Sequence, residues 1–297
     1  MVNKHKLRFQ ITLNLIMLVV TIIAVLPFAL LIISSFTKST DITLYGYSFF
    51  PRNWSLDAYF YIWNEKKQIL NAYSITIIVT ALGTTFGLLI SILYGYVLAK
   101  PKFPGKRFFS FFLFFTMLFN GGLVPTYIMY SKYFHIKDTL WALILPGLLM
   151  GAFNVILIKS YIQNNIPQSL IEAAFIDGAG EFRIVQKIVF PMAKPIIATI
   201  GLFIGIAYWN DWTNGLYYVN DTNLYSIQQL LNNMIKNIEF LSKNANSYVP
   251  LSSVSNSIPQ STLRMAIAVI GILPILVVYP FIQRYFVKGI SLGAVKG

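Results

Sequence analysis

The chain of 297 residues contains no cysteine and only two histidines. It therefore forms no disulfide and offers no thiolate metal ligand, and its His, Asp and Glu residues show no metal-site spacing. Charge is also scarce, because 11% of the residues are charged and only ten are acidic. These shortages leave few groups for acid–base chemistry, so we predict neither catalytic nor metal-binding residues.

Apolar residues dominate what is present, with 56% of the chain hydrophobic and 16% aromatic. Runs of about 18 or more apolar residues recur, and each is long enough to cross a bilayer as a helix. The first run is too long for the core of a signal peptide, so we expect it to be an anchor. We predict an all-α integral membrane protein with one transmembrane domain over 11–297 and six transmembrane helices, near 11–35, 74–99, 108–131, 141–160, 196–218 and 265–286.

The basic residues lie in short segments beside the predicted spans, although the net charge of +13 would also suit a nucleic-acid-binding protein. This distribution marks the cytoplasmic side of a membrane protein, so we exclude nucleic acid as a partner. We place the tail 1–10, both termini and the loop 161–195 in the cytoplasm, with loops 37–73 and 219–264 outside. Fourteen of the 23 lysines and arginines support this orientation: Lys4, Lys6, Arg8, Lys100, Lys102, Lys106, Arg107, Lys159, Arg183, Lys187, Lys194, Arg284, Lys288 and Lys296.

The sequence lacks a nucleotide-binding loop. Its only Gly-Lys pair, Gly105-Lys106, has Lys100 where the Gly-x4-Gly-Lys-Ser/Thr pattern needs its first glycine. Residues 289–293 match Gly-x-Ser-x-Gly, but they follow a predicted span rather than a strand, and the two histidines fall on opposite sides of the membrane. We therefore predict that the chain is not an enzyme.

Small residues recur within three of the predicted spans. The Gly-x3-Gly pairs begin at Gly83, Gly147 and Gly201. Such pairs allow the backbones of neighbouring membrane helices to approach closely. We therefore expect a tightly packed helix bundle.

The loop before the fifth predicted span has a compact local design. Pro167 suits the first turn of a helix, and Gly178 suits a left-handed residue at its end. A second short helix is predicted near 181–189. One flank of the first helix lacks bulk, because it carries small or apolar residues: Leu170, Ala173, Ala174 and Ile176. The pattern predicts a cytoplasmic helix-turn-helix between spans four and five that another protein can approach closely.

The same loop carries a longer motif over 172–191: Glu-Ala-Ala, three residues, Gly, nine residues, then Ile-x-Phe-Pro. It resembles the EAA loop of the membrane subunits of ABC importers, which has Leu where Phe190 stands. The resemblance implies a coupling loop that docks on a separate ATPase. We assign to it Glu172, Ala173, Ala174, Asp177, Gly178, Ile188 and Pro191.

Three further stretches are similar to the carbohydrate branch of these importers, in particular to the second permease subunit of maltose-type systems and its oligosaccharide subgroup. They are residues 119–127, 208–212 and 283–290. The resemblance implies a bacterial cell membrane protein that imports a carbohydrate, and it implies a second homologous permease subunit. It also implies an ATPase dimer holding ATP and magnesium, with no cofactor in this chain, and an extracellular lipid-anchored sugar-binding protein.

The fifth predicted span contains one ionisable group, Asp211, flanked by Trp209, Asn210 and Trp212. A carboxylate within a membrane is costly and usually faces the interior of a bundle. Asn and Asp bind sugar hydroxyls, and indole rings cover apolar sugar faces. We expect these four residues along the substrate pathway. Because helical spacing keeps their side chains from sharing one face, we place Asp211 at the pathway and Asn210 at a helix contact, with a purely packing role for Asp211 as the alternative.

Two other classes of membrane protein remain open at this point. A stand-alone secondary transporter of a small solute needs paired broken helices or several intramembrane charges. A membrane-embedded enzyme or scaffold needs converging acid, base or metal residues.

Two roles also remain open for the aromatic residues Trp54 and Trp63 of the first outer loop. They either anchor the chain at the membrane interface or form a docking surface for an extracellular partner.

Cysteine labelling tests the predicted orientation, because the chain has no native cysteine to remove. We expect Asp177→Cys to react only after the membrane is opened, whereas cysteines placed in 37–73 should react in intact cells. Labelling of position 177 from outside would overturn the orientation.

Overall fold

A computed structural model describes residues 4–244 and 260–294, with side chains described in 9–240 and 260–277 and at Pro280. Every regular element in these ranges is helical. The chain divides into two compact units. Unit 1 comprises 1–67 and 231–274, and unit 2 comprises 68–230 and 275–297.

Unit 1 contains three helices at its N-terminal end: α1 (Lys4–Ser35), α2 (Ser39–Tyr45) and α3 (Asp57–Asn64). The segment between α2 and α3 folds back, because Asp41 Oδ2 accepts hydrogen bonds from the backbone and side-chain nitrogens of Asn53, both 3.0 Å long. Tyr59 of α3 stacks on Phe36 and shares a hydrogen bond of 2.8 Å with Ser35. The first predicted outer loop is thus folded.

Unit 2 holds most of the remaining helices, joined by short connections. They are α4 (Lys66–Ala99), α5 (Lys106–Leu118), α6 (Leu123–Ile128) with a π-helical continuation (Met129–Tyr133), α7 (Trp141–Ile144), α8 (Ala152–Asn165), α9 (Gln168–Ile176), α10 (Glu181–Ile184) with a π-helical turn (Val185–Val189), α11 (Phe190–Met192), α12 (Lys194–Asn210), α13 (Thr213–Tyr218) and a 3-10 turn (Thr222–Leu224). The last two helices, α14 (Ile227–Asn244) and α15 (Gln260–Ala294), have residues in both units, as α4 does at its first two positions. The second predicted outer loop, 219–264, includes 245–259, which lie outside the described residues.

Three described helical segments are long and apolar enough to cross a membrane: Phe9–Ser35, Lys66–Ala99 and Gln260–Val277. Two bent pairs pass the same test when taken together: Lys106–Leu118 with Leu123–Tyr133, bent by 113°, and Glu181–Met192 with Lys194–Asn210, bent by 84°. The described residues thus give three spans, or five if each bent pair is one span. The count of six stays a prediction.

Three of the predicted spans are wrong as continuous helices. The third breaks between α5 and α6, where Gly122 has a φ of +84°. The fourth breaks between α7 and α8, where Gly147 has a φ of +72°, and the fifth breaks at Asp211. The mean hydropathy of an 18-residue stretch detects apolar sequence but not the pattern of backbone hydrogen bonds. It therefore does not detect a helix that breaks at a left-handed glycine or at an Asp cap.

Close packing around α4 depends on its glycines. A Cβ built on Gly83 would lie 2.4 Å from the ring of Tyr208, and one on Gly95 would lie 2.8 Å from Ile158. On the facing helix α12, a Cβ on Gly201 would lie 3.1 Å from Leu88. The Gly-x3-Gly prediction is therefore confirmed for α4 and α12.

The pair beginning at Gly147 has a different role. Gly147 has no atom within 4 Å of its ideal Cβ position, and it lies in the break between α7 and α8. Its small size permits a left-handed turn rather than a helix contact.

We expect Gly83→Ala to lower the melting temperature of the purified protein. The added methyl group overlaps the buried ring of Tyr208, and overpacking of this kind costs about 1–3 kcal/mol. Gly121→Ala is the matched control, because its Cβ would meet nothing within 4 Å. Equal melting temperatures of the two variants would contradict the packing of α12 on α4.

Candidate functional site: a helix-turn-helix loop

The predicted loop is present as two short helices joined by a tight turn. The first, α9, begins directly after Pro167, whose φ of −60° and ψ of 128° suit a residue before a helix. It ends at Ile176; Asp177 is the capping residue, and Gly178 follows with a φ of +77°. The left-handed conformation predicted for Gly178 is confirmed.

The turn after α9 satisfies the last carbonyl groups of the helix. Gly178 N donates to Phe175 O at 3.0 Å, and Ala179 N donates to Ala174 O at 2.9 Å. This pattern is a Schellman-type C-terminal cap, which needs a residue with positive φ. Gly178 therefore fixes the angle between the two helices of the loop.

The second helix is irregular where the sequence places a proline. It begins at Glu181, widens into the π-helical turn Val185–Val189, and ends in α11 around Pro191. Proline cannot donate the usual hydrogen bond four residues back, and a π-turn is a common way to absorb such a disturbance. The predicted helix at 181–189 is confirmed, and it continues past Pro191 to Met192.

One face of the loop is anchored in the apolar core of unit 2. The buried anchors on its second half are Ile184, Val185 and Val189, and Ile188 packs against the same core. On α9, Ile171 is buried and Ala174 packs beside it. The predicted open flank is thus wrong for Ala174, because at 100° per residue it lies near Ile171 and not near Ala173.

The opposite face of the loop is apolar and exposed. Ile176 of α9 is 87% exposed and Phe182 of α10 is 78% exposed. Two further residues of α9, Leu170 and Ala173, are exposed as well. Large apolar side chains that stay exposed on a loop whose other face is buried in the core are typical of a protein contact surface.

The other predicted loop residues lie around this face. Glu172 is exposed, and its Oε1 accepts a hydrogen bond of 3.4 Å from Gln168. Asp177 and Pro191 are exposed as well. The loop therefore combines two carboxylates with its exposed apolar side chains.

Sequence reasoning did not single out Glu181, which makes the loop's main polar contacts. Its Oε2 accepts a hydrogen bond of 2.7 Å from Tyr96 Oη, and its Oε1 pairs with the Lys100 ammonium group. Partial burial raises the pKa of the Glu181 carboxyl, but the hydrogen bonds from Lys100 and Tyr96 and the charge of Lys100 outweigh it and lower that pKa below its usual value. No local motif predicts this contact, because the partners are more than 80 residues away in sequence.

The predicted pathway residues lie where α12 ends. Asp211 is the residue after α12, and its Oδ1 accepts three hydrogen bonds: from Thr213 N at 3.1 Å, Thr213 Oγ1 at 2.6 Å and Asn214 N at 3.3 Å. This is the geometry of a side-chain cap on α13. Oδ2 takes no part in these three bonds.

The three neighbours of Asp211 differ in exposure. Asn210 and Trp212 are exposed, whereas Trp209 is half-buried against Tyr73, with 6.4 Å between ring centroids. Within the described residues, the indole N–H of Trp209 is buried without a hydrogen-bond partner. The structure thus brings the four residues to one turn but does not place their side chains on one face.

Comparison with known proteins decides the family. Residues 91–292 match the family described as the binding-protein-dependent transport system inner membrane component. The chain belongs to this family. It is therefore the permease component of an ABC importer, as the loop motif predicted, and the family is one of inner membrane transport proteins rather than of enzymes.

Individual relatives of this permease cover almost its whole length. It is 38% identical over 281 residues to the polygalacturonan/rhamnogalacturonan transport system permease protein YtcP of Bacillus subtilis, covering 95% of this chain and 96% of that protein. It is 35% identical over 276 residues to Protein LplC of the same organism, covering 93% and 90%. A solved bacterial ABC transporter involved in the import of the acidic polysaccharide alginate contains a chain with a TM-score of 0.78 and 28% identity, covering 96% of this permease and 99% of that chain.

We expect Asp211→Ala to destabilise the permease, because three hydrogen bonds to Oδ1 are lost. Loss of a helix cap costs about 0.5–2 kcal/mol, and Asp211→Asn should cost less because an amide oxygen can still accept. Thermal unfolding in detergent measures the difference. Asn210→Ala is the control, since within the described residues the Asn210 side chain donates to Ile206 O of its own helix and to no other group. A melting temperature for Asp211→Ala equal to that of the wild type would contradict the capping role.

Proposed function

We propose that this permease is one of two homologous transmembrane subunits of an ATP-driven importer for an oligosaccharide. The observation that carries the proposal is the exposed apolar face of the helix-turn-helix, defined by Leu170, Ala173, Ile176 and Phe182, on a loop with the EAA motif. The names of YtcP and of the alginate importer support a carbohydrate, and in particular a polysaccharide fragment, as the substrate class.

The helix-turn-helix docks on the ATPase and follows it when the ATPase dimer closes. The ATPase holds ATP and magnesium, because this chain carries no nucleotide-binding motif. Closure then switches the two permease subunits between inward-facing and outward-facing states by rigid-body movement. Exposed Glu172 adds a carboxylate that can pair with a basic group of the ATPase.

The remaining partners lie on the outer side. An extracellular lipid-anchored protein delivers the sugar, and loops 37–73 and 219–264 face it, with both termini in the cytoplasm. The folded segment of unit 1 supports this part of the proposal, since exposed Trp54 and Trp63 lie on it.

The sugar pathway passes the turn at the end of α12. Asp211 Oδ2 lies outside the capping hydrogen bonds, and the Trp209 indole N–H has no partner among the described residues. Both groups suit sugar hydroxyls. Trp212, exposed beside them, offers an apolar ring for a sugar face.

A stand-alone secondary transporter is not favoured, because the family is that of binding-protein-dependent systems. Co-purification distinguishes the two. An importer subunit should bring down an ATPase and a second permease, whereas a secondary transporter should purify alone.

We expect Gly178→Val and Glu172→Lys to reduce transport strongly while the protein still inserts in the membrane. A side chain at a φ of +77° costs about 1–2 kcal/mol and shifts the turn, and a lysine at 172 reverses the charge offered to the ATPase. Gly180→Ala is the control, because Gly180 has a φ of −71° and open space at its Cβ position. Normal transport by both loop variants would refute the assigned role of the loop.

A further inference from the structure

Glu181 joins the loop to the end of α4 through both of its carboxylate oxygens. Oε2 accepts from Tyr96 Oη at 2.7 Å, and Oε1 pairs with the Lys100 ammonium group. Because each oxygen has its own partner, the direction of the Glu181 side chain is fixed at two points. The start of α10 is thereby tied to one turn of α4.

Lys100 also reaches the first helix of the loop. Its Nζ lies 4.8 Å from the ring centroid of Tyr96 and 6.0 Å from that of Phe175, both within the range of a cation–π contact. Phe175 belongs to α9 and Glu181 to α10. One cation directly after the end of α4 therefore contacts both helices of the helix-turn-helix.

The end of α4 is itself firmly held. A Cβ on Gly95 would lie 2.8 Å from Ile158 of α8, so the two helices touch closely there. Gln163 donates to the carbonyl of Ala99 at 3.2 Å. A displacement of Lys100 is therefore passed to the packed end of α4 and is not absorbed by a mobile helix end.

The contact is open to water, with the Lys100 side chain 27% and the Glu181 side chain 53% exposed. Ion pairs at such sites contribute little to folding stability. The two residues also line a cleft of about 940 Å³ between the segment 100–106 and the helices α8 and α9. Their geometry is thus suited to directing the loop rather than to holding the fold together.

We propose that Tyr96, Lys100 and Glu181 form a latch that makes α4 follow the helix-turn-helix when the ATPase moves it. The proposal rests on the proposed function, in which the loop docks on the ATPase. The latch adds directional contacts to the apolar packing of the loop, because hydrogen bonds depend on angle. The three are positioning residues, since they act on the pathway through α4.

The test measures movement in the complete complex in response to magnesium-ATP with vanadate, so no sugar needs to be known. A spin label is placed at Gln186→Cys on the loop or at Leu89→Cys on α4, two exposed positions. In the otherwise native complex both labels should respond to nucleotide. With Glu181→Gln or Lys100→Gln, the response at 186 should persist and the response at 89 should fall about fivefold or more.

Matched variants separate the latch from general damage. Lys102→Gln removes an exposed lysine two residues away and should leave both responses unchanged. The swapped pair Lys100→Glu with Glu181→Lys should recover part of the response at 89, which structural damage would not allow. Tyr96→Phe is tested alone and in combination with Glu181→Gln. Because the two residues contact each other, the double variant should lose less of the response at 89 than the sum of the two single losses.

The outcomes are distinct for the two proposals. An unchanged response at 89 in Glu181→Gln and Lys100→Gln, or an equal loss in Lys102→Gln, would overturn the latch. Loss of the ATPase from the Glu181→Gln complex would also overturn it, because Glu181 would then belong to the docking contact. If the native permease neither co-purifies with an ATPase nor responds to nucleotide at 186, the proposed function fails instead.

Discussion

The glycines of α4 set how closely the other helices of unit 2 approach it. Without a side chain at Gly83, the ring of Tyr208 rests against the α4 backbone, and at Gly95 the same absence admits Ile158. Membrane helices gain no hydrophobic driving force from lipid, so close backbone approach is their main source of cohesion. These contacts position α12, which ends at the Asp211 turn, and α8, which leads into the helix-turn-helix.

The helix-turn-helix combines an apolar anchor with an apolar contact face. Its buried side holds it to the core through Ile171, Ile184 and Val189, while its exposed side carries Ile176 and Phe182. A surface held this rigidly loses little conformational entropy on binding, so more of its contact energy remains available for association. Glu181 adds directional contacts to this apolar anchor, because hydrogen bonds depend on angle as well as on distance.

Local sequence patterns predicted the loop well and the spans less well. Gly178 and the helix at 181–189 follow from backbone preferences that act within a few residues, and these survive in the structure. Pro167 lies directly before α9 and not in its first turn, so that prediction is wrong by one residue. The breaks at 119–122, 145–151 and 211–212 escaped, because each contains only a few polar residues, glycines or prolines within a longer apolar stretch, and the average hydropathy of that stretch stays high. Asn120 carried a usable signal, since its side chain accepts from Gly122 N at 2.9 Å and opens the break. The contacts of Glu181 and of the buried Tyr208 hydroxyl group join residues that are far apart in the sequence. A single sequence does not reveal which distant residues meet in the fold.

The broken helices satisfy one another's backbone groups. Where α7 ends, the carbonyl of Ile144 accepts from Tyr208 Oη at 2.8 Å and that of Pro146 accepts from Asn214 Nδ2 at 3.0 Å. The hydrocarbon of a bilayer supplies no hydrogen-bond partners, so an irregular segment persists only where protein groups bond to it or where it lines a water-filled cavity. Tyr208 and Asn214 lie on either side of the Asp211 cap, so the cap also fixes the donors to the break between α7 and α8. The two breaks therefore form one polar unit, and a change in the Asp211 turn acts on the end of α7 as well as on α13.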